Sequence, residues 1–175
     1  MSKDPRLILL PVDDSPHSER AFDWYLQHLH RQGDQLGIVH FHQAPQPTAE
    51  KYGVLSVGLV DDSDKFKEEM KASLQKSKKL IEKYEKKAKD SGIKSETLLT
   101  SSVHGPGAGI CDLAEKRNAA GIVMGSRGLN LLRRTFLGSV SSYVINHANT
   151  AVTITPPEKN LSVSSGHTDE SEILT

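Results

Sequence analysis

Residues 6–29, RLILLPVDDSPHSERAFDWYLQHL, contain a short apolar run that leads through two aspartates into a helical pattern. The uninterrupted run at 6–12 is typical of a strand that is buried on both faces, as in a parallel sheet. Ser15 is suited to cap the following helix, and Pro16 fits its first position, where no N–H is needed. Apolar residues then recur at helical spacing. This segment therefore predicts a buried strand followed by an amphipathic helix.

The remainder of the chain repeats this alternation. Apolar runs predict four further strands, at 35–41, 93–101, 119–125 and 150–155. Periodic segments predict three further helices, at 63–90, 105–118 and 139–149. Strands that alternate with helices predict an α/β fold, here a doubly wound, five-stranded parallel sheet with helices on both faces.

The same patterns predict a single domain at residues 1–156. Two prolines within 42–60 indicate an irregular segment, and the polar, Ser-rich residues 157–175 are predicted to form a disordered tail. In the helix at 63–90, an apolar stripe at helical spacing is expected to face the sheet. Its members are Phe66, Met70, Leu74, Ile81, Tyr84 and Ala88.

Composition excludes several classes of protein. The 22 basic and 22 acidic residues balance, so neither nucleic acid nor an anionic membrane is an expected partner. No apolar stretch approaches the roughly 20 residues that a membrane span needs, and the first residues, MSKDPR, lack a signal-peptide pattern. The single cysteine, Cys111, suits a reducing compartment. We therefore expect a cytoplasmic protein.

Polar and glycine residues follow the first and fourth predicted strands. Asp13 and Asp14 leave the first strand, and GSRG at 125–128 leaves the fourth. In open parallel sheets, ligands bind outside the carboxyl ends of the strands, where successive crossovers leave in opposite directions. If the first strand is central, both segments lie at that point.

The glycine-rich stretch GSRGLNLLRRTFLGS, at 125–139, has the composition of an anion-binding loop. Gly125 and Gly128 allow positive φ and a close approach of backbone N–H groups to a ligand, and Arg127 can pair with phosphate. Gly138 and Ser139 begin a helix, whose N-terminus favours an anion. An ordinary turn and N-cap would need the same residues, so the pattern alone leaves both interpretations open.

The spacing Gly125-x2-Gly128-x9-Gly138-Ser139 resembles the signature of the ATP-binding branch of the universal stress protein family. The flanking segments LILLPVDDSPHSERAFDWYL, LGIVHFHQAP, AAGIVMGSRG and GSVSSYVINHA resemble the family as well, over residues 5–155. This resemblance implies a strand order of 3-2-1-4-5. It also implies that the chain binds ATP, with or without Mg²⁺, or alternatively AMP or ADP.

The resemblance also assigns site residues. Val12 and Asp13 are expected on the adenine and ribose side, Phe41 beside the base, and Met124 against the base from the fourth strand. Around the ribose and phosphates, the resemblance places Gly125, Arg127, Gly128, Gly138, Ser139 and Val140.

Family members commonly form dimers through their fifth strands, so the resemblance implies a homodimer through residues Ala151 to Thr155. The chain departs from the family at Thr150 and Ala151, where a Cys-Pro step is usual. The leading hypothesis for function is an ATP-binding regulator in stress response.

The alternative is a slow ATPase. In it, Asp13, Asp14 or Ser126 would position water or Mg²⁺, and Arg133 or Arg134 would neutralise charge on the γ-phosphate. No resident metal site is predicted, because His40 and His42 have no accompanying ligand set.

Overall fold

The computed structural model describes residues 5–45, 63–126 and 137–156. Its sheet has five parallel strands in the order β3-β2-β1-β4-β5, which confirms the predicted fold class and strand order. The strands are β1 Leu7–Pro11, β2 Gln35–Phe41, β3 Ser95–Thr100, β4 Gly121–Gly125 and β5 Val152–Thr155. The predicted tail at 157–175, and residues 46–60 of the predicted irregular segment, lie outside the described residues.

Within the described residues, four helices connect the strands, at the predicted places. They are α1 Pro16–Trp24, α2 Ser63–Asp90, α3 Gly105–Lys116 and α4 Ser139–His147. The first helix continues into a π-helical turn, Tyr25–Leu29, which the sequence did not predict. Ser15 caps α1 as expected: its backbone is extended, and its Oγ accepts a hydrogen bond from Ser18 N at 3.3 Å.

The core has two layers, one on each face of the sheet. Neighbouring residues of β1 alternate between them, because successive side chains of a strand point to opposite faces. Leu10 packs with Phe22 of α1 and Tyr84 of α2, whereas Leu9 packs with Ile110 of α3. Helices α1 and α2 therefore cover one face, and α3 and α4 cover the other.

The expected apolar stripe of α2 is buried only in the second half of the helix. Ile81, Tyr84 and Ala88 are buried, but Leu74 is 38% exposed. Length explains the difference: 28 residues of helix extend about 42 Å, whereas the seven residues of β2 extend about 23 Å. The first half of α2 therefore extends past the carboxyl edge of the sheet.

Candidate functional site

A cavity of about 850 Å³ opens at the carboxyl ends of β1, β2 and β4. Strand β1 lies between the other two, so the cavity is at the predicted switch point. Eight of the ten predicted site residues line it: Val12, Asp13, Phe41, Met124, Gly125, Gly138, Ser139 and Val140. The other two, Arg127 and Gly128, lie outside the described residues, as do Arg133 and Arg134. The binding roles of all ten stay predictions.

The carboxylate of Asp13 is held by the first turn of α1. Its Oδ1 accepts hydrogen bonds from Ser15 N at 3.2 Å, from Ser15 Oγ at 2.5 Å and from Ser18 Oγ at 2.6 Å. Ser18 Oγ in turn accepts a hydrogen bond from Asp13 N at 3.0 Å. Because all three bonds to the carboxylate use one oxygen, Asp13 is oriented while Oδ2 accepts nothing from the described residues.

Gly125 is required for packing, and it does not use the positive φ that a glycine allows. Among the described residues, the glycines with positive φ are Gly33, Gly92 and Gly105. Gly125 ends β4, and a Cβ atom there would lie 2.7 Å from the carbonyl oxygen of His17. Strand β4 passes against the backbone of α1 at this point, which leaves no room for a side chain.

Ser126 ties together the two ends of the glycine-rich loop. Its carbonyl oxygen accepts hydrogen bonds from Gly138 N at 2.8 Å and from Ser141 Oγ at 3.1 Å. Its N–H donates to Thr155 O at 3.1 Å. The residues on either side of the loop are thus fixed to each other and to β5. The hydroxyl of Ser126 is buried and has no hydrogen-bond partner among the described residues.

The N-terminus of α4 lines this cavity. Gly138 is the N-cap, with φ −62° and ψ 154°, and provides no side chain to bond the first N–H groups. Ser139 is the first helical residue, so this helix begins at the predicted Gly138-Ser139 step. The first helical hydrogen bond found runs from Ser142 N to Gly138 O, at 2.8 Å. The N–H groups before it have no carbonyl within the helix to bond, which makes this end suitable for an anion.

Helix α2 contributes a wall of the cavity that the sequence analysis missed. The lining residues there are Ser73, Lys76, Ser77, Lys79, Leu80 and Lys83. Lys83 pairs with Glu19, and this hydrogen bond holds the pKa of the Glu19 carboxyl below its ordinary value. Lys76 and Lys79 form no ion pair within the described parts of the chain, so their positive charge is available to an anion.

Two histidines at the end of β2 share a partner on α2. His40 Nδ1 lies 2.8 Å from the carbonyl oxygen of Val12. His40 Nε2 and His42 Nδ1 lie 3.1 Å and 3.0 Å from Ser77 Oγ. No group of three or more His, Cys, Asp or Glu side chains in the described residues is placed to hold a metal ion.

The family model for the universal stress protein family matches residues 5–156. The chain belongs to the universal stress protein family. Among its curated relatives is the universal stress protein YxiE of Bacillus subtilis. The two are 28% identical over 138 residues, which are 78% of this chain and 89% of the relative.

Solved structures share the fold of this universal stress protein. Protein MJ0577 of Methanocaldococcus jannaschii matches with a TM-score of 0.69 and 23% identity, over 90% of this chain and 99% of that one. A universal stress protein family protein from Arabidopsis thaliana, At3g01520, was solved with AMP bound. It matches with a TM-score of 0.59 and 15% identity, over 92% and 97% of the two chains. No helix within the described residues is long and apolar enough to cross a membrane.

Proposed function

We propose that this universal stress protein binds ATP in the cavity at the carboxyl ends of β1, β2 and β4, and acts as a nucleotide-dependent regulator in stress response. The observation that carries the proposal is one cavity of about 850 Å³ in which anion donors and apolar walls face the same space. That volume is within the range of small-molecule sites.

The phosphates are proposed to lie at the β4 side of the cavity. The free N–H groups at the start of α4 and the helix dipole favour negative charge there. Ser126 fixes this helix start relative to β4 through its bonds with Gly138 and Ser141. The expected contacts of Arg127 and Gly128 would add to this end of the site.

The base and ribose are proposed to lie toward β1 and β2. Val12, Phe41 and Met124 are buried apolar residues that line the cavity, and they suit the faces of a purine. The oriented carboxylate of Asp13 suits ribose hydroxyls, which are donors. Strands β2 and β4 lie two strand spacings apart, about 10 Å, so base and phosphates can occupy opposite ends of the cavity.

Binding of an adenine nucleotide is also supported by the related Arabidopsis structure, which holds AMP. Slow hydrolysis of ATP is not included in the proposal. The Asp13 carboxylate is assigned above to the ribose hydroxyls, and Asp14 is exposed. We further place the protein in the cytoplasm, as its single cysteine suggests.

We also infer a homodimer through the fifth strand, residues Ala151 to Thr155. In support, β5 ends the strand order, so one of its edges has no strand beside it among the described residues. Such an edge offers unpaired backbone groups to a second copy. Analytical ultracentrifugation over a range of concentrations should show a dimer, and a monomer at every concentration would contradict this inference.

Binding is tested by titration calorimetry of nucleotide-free protein with ATP. Asp13→Asn removes the carboxylate charge and one acceptor but keeps an oxygen for Ser15 and Ser18, so we expect ATP affinity to fall about tenfold. Asp112→Asn, at an exposed position on α3 that does not line the cavity, is the matched control. Equal affinity of both variants would remove the role of Asp13, and wild-type protein that ignores ATP, AMP and ADP would overturn the proposal.

A further inference from the structure

His40, Ser77 and His42 form a hydrogen-bonded chain along one wall of the cavity, here called the His-Ser-His chain. The two histidines are two residues apart at the end of β2, so their side chains point to the same face of the sheet. Ser77 of α2 lies between them and is 6% exposed. All three line the cavity.

The direction of the hydrogen bonds in this chain follows from its first acceptor. The carbonyl oxygen of Val12 can only accept, so the proton of neutral His40 is on Nδ1 and its Nε2 must accept. Ser77 has one hydroxyl proton, which it donates to His40 Nε2. Its oxygen then accepts from His42 Nδ1. Nε2 of His42 therefore carries a lone pair and no proton.

This lone pair faces no donor among the residues that the structure describes. His42 Nε2 makes no hydrogen bond with any of the residues that the structure describes, although the ring lines the cavity directly after Phe41. The proposed phosphate position is at the opposite end, beside α4. A nucleotide held as proposed above would bring its base to the His42 end, and the following inference rests on that proposed function.

We propose that His42 selects the nucleobase, by accepting a hydrogen bond at Nε2 from the exocyclic 6-amino group of adenine. A purine with oxygen at position 6 would place that acceptor next to the acceptor Nε2, which is unfavourable. A purine with hydrogen at position 6 would leave Nε2 without a hydrogen-bond donor. Ser77 is a positioning residue, since it fixes which nitrogen of His42 is protonated.

Protonation reverses the chain. One added proton puts a hydrogen on His42 Nε2, whichever ring receives it. If His40 receives the proton, the hydroxyl of Ser77 turns and donates to His42 Nδ1. His42 then takes its other tautomer, with the proton on Nε2. His42 would then donate and favour a 6-oxo purine. The charged groups that line the same cavity are Asp13 and Asp14 on the β1 side and Lys76, Lys79 and Lys83 on α2.

The test compares dissociation constants for ATP, inosine triphosphate and purine riboside triphosphate, measured by calorimetry on the whole chain. Effects on the shared triphosphate cancel in the ratios. At about pH 8, wild-type protein should bind ATP about tenfold more tightly than either analogue, as expected for one unsatisfied buried hydrogen-bonding group. The ratio to inosine triphosphate should fall when the pH is lowered far enough to protonate the His-Ser-His chain.

Variants separate His42 from the rest of the site. His42→Phe should reduce the tenfold preference to about twofold through loss of ATP affinity, and should remove its pH dependence. Ser77→Ala keeps the ring but frees its tautomer, so the preference should fall about threefold. His28→Phe, an exposed position on the π-helical turn, should behave as wild type.

Two results would overturn the inference while leaving ATP binding intact: equal affinity of wild-type protein for the three nucleotides, or an unchanged preference in folded His42→Phe and Ser77→Ala. Wild-type protein that binds none of them would overturn the proposed function together with this inference.

Discussion

Replacing Gly125 by alanine adds one methyl group where β4 meets the backbone of α1. The new Cβ would lie 2.7 Å from the carbonyl oxygen of His17 and 2.8 Å from the Cβ of the same residue. Ordinary contact begins near 3.4 Å, so strand and helix would have to separate by about 0.7 Å. Both contacts involve atoms that no rotamer change can move away.

Overpacking of this kind costs about 2–3 kcal/mol, and the better strand propensity of alanine offsets about 0.5–1 kcal/mol. We expect the free energy of unfolding of Gly125→Ala to fall by about 2 kcal/mol. For a chain of this size, that corresponds to a Tm lower by about 4–8 °C.

Gly121→Ala is the matched control at the other end of β4. Its Cβ would meet its nearest neighbour, the carbonyl oxygen of Ala151, at 3.4 Å, so we expect a change within about 1 kcal/mol. Urea denaturation of both variants without nucleotide measures the difference. If Gly125→Ala is as stable as Gly121→Ala, the packing argument for Gly125 is wrong, and its glycine has to be explained by the ligand.

Two further predictions concern Ser141 and Asp34. Ser141→Ala removes a buried hydroxyl that donates to Ser126 O, so we expect the free energy of unfolding to fall by about 1 kcal/mol and ATP to bind more weakly. Denaturation and calorimetry measure the two effects. Ser142→Ala is the control and should be unchanged in both. Burial alone would raise the pKa of Asp34, but hydrogen bonds from Arg6 and from a backbone N–H outweigh it and hold the pKa below its ordinary 3.8. This stabilisation is present above pH 3.8 and is lost as the pH falls through the lowered pKa of Asp34. The difference in free energy of unfolding between wild type and Asp34→Asn, measured by denaturation at several pH values, should therefore disappear in acid. A difference that does not change with pH would contradict this.

Strand and helix positions could be predicted because the local patterns agree with the fold. The apolar run before Asp13 has no alternation, and in the sheet its side chains are buried on both faces. The N-cap at Ser15 depends only on the residues that follow it within one turn. Such signals are local, so they survive without knowledge of the rest of the molecule.

The α2 wall of the cavity and the reason for Gly125 could not be read from the sequence. Lys76 and Ser77 look like solvent-facing residues of a lysine-rich helix, and their position over the cavity depends on how far α2 extends past the sheet. The clash at Gly125 depends on the distance between β4 and α1. The extension of α2 past the sheet and the distance between β4 and α1 both depend on tertiary packing, which the periodicity of one segment does not predict.

The backbone hydrogen bonds of Ser126 have a consequence for regulation. Its N–H is bonded to Thr155 in β5, and its carbonyl to the start of α4. The proposed partner chain would pair with β5, and the proposed phosphates would sit at α4, so the two events share an anchor only one residue long. If dimer formation changes the dissociation constant for nucleotide by some factor, nucleotide binding must change the dissociation constant of the dimer by the same factor.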